Sequence, residues 1–185
     1  VLGRMVGARV VFFTWQNLDR RFPPPFAWFE RYTLSRVDAA IAGNEEAAAI
    51  LRRRGFQKPL IVLPQFGIDP ELFHPPRDGR DDPPVILAAA RLVPEKGLAT
   101  LLRSLAGLSG EWRCQIVGDG PQRAELLALA NELGIVKRVE LLGARSSVEM
   151  PDLIRRASVL VLPSQTIPKW KEQFGRVLVE AMACE

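Results

Sequence analysis

The chain has 185 residues, 48% hydrophobic and 25% charged, with a formal net charge of +4. That balance fits a globular protein of one large domain, or one domain and part of another. No apolar run reaches membrane-span length, no signal-peptide pattern stands at the start, and a single histidine, His74, argues against a histidine-based metal site. Basic residues are scattered among acidic ones, except at Arg20-Arg21 and Arg52-Arg53-Arg54. These runs read first as solvated helix ends, and no nucleic-acid partner is expected. A weak attraction to anionic lipid or substrate, with peripheral contact at the inner membrane surface, stays open. Cys114 and Cys184 lack metal-ligand spacing, and a reduced, cytoplasmic compartment fits them best.

Residues 8–14 are rich in β-branched and aromatic side chains and read as a buried strand, followed at its C-terminal end by Trp15-Gln16-Asn17. Pro23-Pro24-Pro25 breaks the chain before a helix over 26–36 with Phe26, Phe29 and Tyr32 on one side. Trp15 and Trp28 read as core or lid residues. A short strand over 38–43 precedes a helix capped by Asn44, with Glu45 and Glu46 in its positive first turn and Gly55 just past its end. Residues 60–63 form the next strand. Residues 67–84 are dense in Pro, Gly and Asp and read as an inter-domain linker, with His74 as a packing or turn residue.

The β-α alternation then resumes. Strands are expected at 85–90, 113–117, 137–142 and 158–162, and helices at 98–106, from Pro121 to Leu133, and at 150–157. The last stretch runs from Trp170 to Cys184. Phe174, Val177, Leu178, Ala181 and Met182 recur at the spacing of a core-facing helical stripe, which puts Arg176 and Glu180 on the other side. With a helix starting near Phe174, Glu172 lies in the loop before it and Glu180 about two turns in. The fold class is α/β, with parallel sheets and helices on their faces.

Three loops should gather at the C-terminal edge of the second sheet, where such sheets bind ligands: Arg91 to Lys96, Gly118-Asp119-Gly120, and residues 163–175. Arg91 and Lys96 suit a diphosphate clamp, and a salt bridge of either to Glu95 is the plainer alternative. Gly118-Asp119-Gly120-Pro121 is equally compatible with ligand contact and with a strand-to-helix turn in which Asp119 is the N-cap. Glu172 and Glu180 bracket a helix N-terminus, an anion site, so the trio outlines a sugar nucleotide. The plainer alternative makes Glu172 a helix-start carboxylate and pairs Glu180 with Arg176. The G-x-G-x-x-G turn of hydride-transfer enzymes is absent.

Taken in order, Ala90-Arg91-Leu92-Val93-Pro94-Glu95-Lys96-Gly97, Ile116-Val117-Gly118-Asp119-Gly120-Pro121, the strand end Leu160 to Ser164, and Glu172-Gln173-Phe174-Gly175 with Glu180-Ala181-Met182-Ala183-Cys184 resemble the retaining GT-B glycosyltransferases of family 4, the glycogen-synthase-like group. The resemblance is dense over 85–185 and looser over 1–67. It implies two Rossmann-like domains, both incomplete: 1–67 as the last part of the acceptor domain, 68–84 as linker, and 85–185 as the donor domain, truncated at its C-terminus. The chain is thus expected to be part of one about twice as long. The resemblance also implies hexose transfer, with retention, from a UDP-, GDP- or ADP-sugar to a glycan, lipid-linked or small-molecule acceptor, with no cofactor. Carried over by position, Arg91 and Lys96 hold the diphosphate, and Glu172 binds hydroxyls of the transferred sugar. Phe174 and Gly175 lie near sugar or phosphate, Glu180 binds the ribose, and Gly118, Asp119 and Gly120 line the cleft.

No Asp-x-Asp motif is present, which fits a metal-independent site. Ala90 stands where the family usually has glycine, Gln173 where it usually has a small residue, Glu185 where glycine is frequent, and the acceptor-side histidine has no counterpart. A non-catalytic nucleotide-sugar module, or another GT-B enzyme such as an epimerase, is the alternative.

Overall fold

The computed structural model describes residues 6–64, 67–76 and 83–185. Part of the stretch expected as linker, 77–82, lies outside the described residues, as do 1–5 and 65–66 of the expected first domain. The chain forms two compact units: Val1–Phe66 with Pro168–Phe174, and Gly67–Ile167 with Gly175–Glu185.

The first unit runs β1 (Val11–Thr14), α1 (Phe26–Arg36), β2 (Ala39–Ala42), α2 (Glu45–Arg53) and β3 (Leu60–Val62). The strands pair in parallel in the order β1-β2-β3. Helix α2 starts as its sequence requires: the Asn44 side chain accepts from Ala47 N–H at 2.8 Å, with Glu45 and Glu46 in the first turn. Its core is small: Val37, Ala40, Leu51 and Phe56 in one cluster, Ala42, Ala47 and Ala48 in another. Helix α1 departs from expectation. It has no buried residue, and Phe26, Trp28 and Phe29 are each more than 60% exposed, so Trp28 is not a core residue. The helix turns Ala27, Glu30 and Leu34 inward instead.

Arg20 and Arg21 of one arginine run and Arg53 and Arg54 of the other line an open cavity of about 630 Å³ in this unit, with Glu30 and Lys58. They are not merely solvated ends. Arg54 pairs with Glu30 and with Asp19, Arg53 also reaches Asp19, and Arg52 donates to the carbonyls of Phe56 and Lys58. The hydrogen bond from Arg54 holds the Asp19 carboxyl below the usual carboxylate range.

The second unit runs β4 (Val85–Ala89), α3 (Leu98–Ala106), β5 (Arg113–Val117), α4 (Arg123–Glu132), β6 (Val139–Gly143), α5 (Met150–Arg156), β7 (Val159–Leu160) and α6 (Arg176–Ala183). Its sheet is parallel, in the order β6-β5-β4-β7. Both faces are covered, and the period-2 alternation of β4 shows how. Ile86 and Ala88 join Leu98, Leu102, Cys114, Ile116 and Leu126 on one face, whereas Leu87 joins Val117, Met150, Ile154 and Cys184 on the other. Part of the stretch read as linker packs on this second face, because Phe73 is buried there and Arg155 donates to the Leu72 carbonyl at 3.1 Å. His74 Nδ1 lies 2.8 Å from the Pro75 carbonyl.

Two element starts differ from the sequence reading. Pro121 and Gln122 form a turn, and α4 begins only at Arg123, with Gln122 rather than Asp119 at its N-cap. Helix α6 begins at Arg176 rather than near Phe174, because Gly175 takes the left-handed conformation (φ 74°). Glu180 is therefore about one turn into the helix, not two. Its face was also misjudged. Glu180 and Cys184 are buried, whereas Leu178 and Met182 are exposed, so the inward stripe runs Val177, Glu180, Ala181, Cys184.

Candidate functional site

From β4 the second sheet grows in one direction through β5 and β6, then the chain returns to the opposite side of β4 at β7. Such a reversal of strand order is where open α/β sheets bind their ligands. The loop after β4 carries Arg91 and Lys96.

Backbone hydrogen bonds fasten three loops together at this edge. Leu92 N–H donates to the Asp119 carbonyl (2.9 Å), and Gln122 N–H to the Leu92 carbonyl (3.0 Å), which ties the β4 and β5 loops. Gln165 N–H donates to the Glu95 carbonyl (2.8 Å), and its side-chain amide reaches Thr100 Oγ1 (2.7 Å), which ties in the β7 loop. Gly118 N–H donates to the Gly143 carbonyl (2.8 Å), which adds the end of β6. Gly118 and Gly120 are glycine because this stitching leaves no space. Gly118 has φ 134°, and a Cβ there would overlap the Ala90 carbonyl oxygen; one on Gly120 would come within 2.6 Å of the Leu92 oxygen. Gly97 is constrained likewise by the Pro163 carbonyl.

The charged residues ride on this frame. Lys96 ends a one-turn 3-10 segment, Pro94–Lys96, closed by left-handed Gly97. Arg91 is exposed and pairs with no acidic group among the described residues, so the proposed bridge from Arg91 to Glu95 does not form. Asp119 is exposed and turns back on the backbone, its carboxylate accepting from Gly120 N–H at 2.8 Å. Gly175 packs against the same edge, since a Cβ there would come within 2.8 Å of Leu162 Cδ2. No side chain caps the N-terminus of α6 that follows it. One turn on, the nearly buried Glu180 accepts from Arg176 Nε at 2.9 Å. The plainer pairing is thus present. It explains little on its own, since an i,i+4 pair contributes roughly 0.3–0.5 kcal/mol and Arg before Glu is the weaker order. A carboxylate on the inward stripe of a helix is a costly choice for stability alone.

Glu172 and Phe174 belong to the first unit, in the segment Pro168–Phe174. Asn17 Nδ2 donates to the Glu172 carbonyl at 2.8 Å, and Gln173 Nε2 donates to the Trp15 carbonyl at 3.2 Å. Asn44 Nδ2 reaches the Gln173 carbonyl at 3.5 Å, and Lys171 pairs with Glu46. The Phe174 ring meets Trp15 edge to face, with centroids 5.8 Å apart. Trp15 is half-buried and lies against Gly43, where any Cβ would overlap the indole. The sequence reading missed these anchors. Its only signal was the position of Trp15-Gln16-Asn17 at the end of β1.

Neither thiol is poised as a nucleophile. Burial pushes Cys114 up to about 12 and raises Cys184 as well. No helix among the described residues is long and apolar enough to cross a membrane.

Known proteins place this architecture. An α-D-kanosaminyltransferase from Streptomyces kanamyceticus is 31% identical, over 90% of this chain and 46% of its own length. A D-inositol 3-phosphate glycosyltransferase from Mycolicibacterium smegmatis is 32% identical, over 90% of this chain and 40% of its own. The chain thus spans less than half of these curated relatives. Among solved structures, sucrose-phosphate synthase from Thermosynechococcus elongatus matches with a TM-score of 0.68 and 29% identity, over 85% of this chain and 41% of that one. Anabaena Alr3699/HepE in complex with UDP and glucose matches with a TM-score of 0.75 over 98% of this chain and 52% of that one; at 21% identity it speaks for the fold alone. The fold is that of GT-B glycosyltransferases over part of their length. The family model for glycosyl transferases group 1 matches residues 71–185, and the chain belongs to that family.

Proposed function

We propose that this chain carries the nucleotide-sugar donor site of a retaining transferase, which moves a hexose-type sugar from a nucleoside-diphosphate sugar to an acceptor. The observation that carries the reading is the cationic loop Arg91 to Lys96 at the reversal of strand order in the second sheet, stitched to the Gly118–Gly120 turn and the β7 loop. In such a transfer the bond between the anomeric carbon and the diphosphate oxygen breaks, and negative charge grows on the leaving group. Arg91 and Lys96 would hold that diphosphate, and the uncapped N-terminus of α6 at Gly175 would add its partial positive charge. Stabilisation of this kind counts most when the donors are fixed beforehand, and a loop pinned by backbone bonds on two sides meets that condition.

In this reading Glu180 binds the ribose hydroxyls, Glu172 those of the transferred sugar, and Phe174 lies beside them. Gly118, Asp119 and Gly120 shape the floor under the phosphates. The relatives, a kanosaminyltransferase and an inositol-phosphate glycosyltransferase, support sugar transfer, and the nucleotide donor rests on the Arg91 to Lys96 loop and the family resemblance. A hexose-type sugar, retention and the acceptor class rest on the family resemblance.

Calorimetry with UDP-, GDP- and ADP-sugars tests the reading. At least one should bind the 185-residue chain, Glu172→Ala should lose discrimination between the sugar nucleotide and its nucleoside diphosphate, and Glu180→Ala should weaken both. Failure of every nucleotide to bind would defeat the proposal. Turnover by this chain alone should be slight, because the family's acceptor-side histidine has no counterpart in it.

A further inference from the structure

The segment that carries Glu172 is short, and residues 165–169 on its approach are exposed. Several of its anchors come from residues about 125 to 160 positions earlier in the chain. The Asn17 amide grips the Glu172 carbonyl, the Trp15 carbonyl receives the Gln173 amide, and the Trp15 ring meets Phe174. Lys171 pairs with Glu46 on the first turn of α2. Glu172 is thus anchored through its own carbonyl and through the residues on both sides of it.

We infer that Asn17 and Trp15 are positioning residues for the sugar-recognising carboxylate, setting the backbone of Lys171 to Phe174 so that Glu172 presents one orientation to the donor sugar. The inference rests on the donor-site reading above. Both residues act through the segment rather than by touching the donor. Trp15 cannot be moved freely, because its indole is seated against Gly43 and packs edge to face on Phe13 at 6.0 Å. Asn17 is the better probe. Its side chain donates a hydrogen bond to the segment, and it lies in the loop after β1, outside the core clusters.

The consequence is a split that a merely structural residue would not give. If Asn17 holds Glu172 in register, Asn17→Ala should leave binding of the bare nucleoside diphosphate within about twofold, while the extra affinity for its sugar conjugate falls roughly tenfold. Asn17→Gln, which keeps the amide donor, should recover part of that loss. Gln173→Ala, which removes the second anchor, should reproduce the Asn17→Ala pattern more weakly.

The experiment is calorimetry of the 185-residue chain and these three variants. Each is titrated with UDP, GDP and ADP and with the corresponding glucose or mannose conjugates, with thermal melts to show that each variant is folded. The expected result is a sugar increment lost in Asn17→Ala, partly recovered in Asn17→Gln, and unchanged affinity for the bare nucleotide. An intact sugar increment in a folded Asn17→Ala would overturn the positioning role while leaving the donor site standing. Equal loss of nucleotide and conjugate would also overturn it, because that is the signature of general damage. Should none of the nucleotides bind the unmodified chain, the donor-site reading fails and the positioning role fails with it.

Discussion

The second unit buries side chains on both faces of a four-stranded sheet, whereas the first packs a three-stranded sheet thinly and turns the aromatic residues of α1 outward. The contrast begins in the strands. In β4 four consecutive residues are buried, as expected for a parallel strand covered on both sides. In β3 the last two of three residues are exposed. Hydrophobic content by itself does not tell the two apart, because Phe26, Trp28 and Phe29 are as apolar as any core residue and yet face solvent. What differs is whether a second element stands opposite. Arg91, Lys96 and the Gly118–Gly120 turn stand on the unit whose sheet is covered twice, and Glu172 belongs to the other unit.

This contrast can be broken by substitution. Leu102 is fully buried on α3 between β4 and the helix face of α4, and Leu102→Ala should destabilise the chain by about 2–5 kcal/mol through the cavity left behind. Urea unfolding followed by circular dichroism measures it; a loss under about 1 kcal/mol would mean that this core relaxes as freely as a surface. Gly118→Ala should come next, at about 1–3 kcal/mol, since a side chain at that positive φ must also displace the Ala90 carbonyl. The same variant should lose nucleotide affinity, because the turn cannot move without the Arg91 loop to which it is bonded. Smallest is Phe29→Ala on α1, expected within about 0.5 kcal/mol in the 185-residue chain. An effect there as large as that of Leu102→Ala would erase the distinction between the two units.

Much of this organisation was legible in the sequence because it rests on local signals. The Asn44 cap and the alternation of strands and helices follow from capping chemistry and periodicity, and the helix Phe26–Arg36 follows the Pro23-Pro24-Pro25 break, although its aromatic residues face outward. The Arg91 to Lys96 loop and the Gly118-Asp119-Gly120 turn could be assigned to one sheet edge because each follows a parallel strand. The errors share a different cause. The inward face of α6 was misread because Glu180 counted as a surface residue, and a periodicity argument gives a charged residue no reason to be inside. The start of α6 was missed because a left-handed Gly175 ends the preceding segment only when the chain must turn there, against Leu162. The pairing of Arg54 with Glu30 and Asp19, and the grip of Asn17 on Glu172, join residues 24 to 155 positions apart, and no local pattern announces them.

The central claim is that Arg91 and Lys96 bind the diphosphate of a sugar nucleotide. Its most direct test is to titrate the chain and its Arg91→Ala/Lys96→Ala double variant with the best-binding nucleoside diphosphate and with the matching monophosphate. Charge-assisted hydrogen bonds of about 1.5–3 kcal/mol predict that the unmodified chain prefers the diphosphate by roughly 10- to 100-fold, and that the double variant, still folded, loses that preference. A double variant that keeps the full preference for the diphosphate would contradict the account.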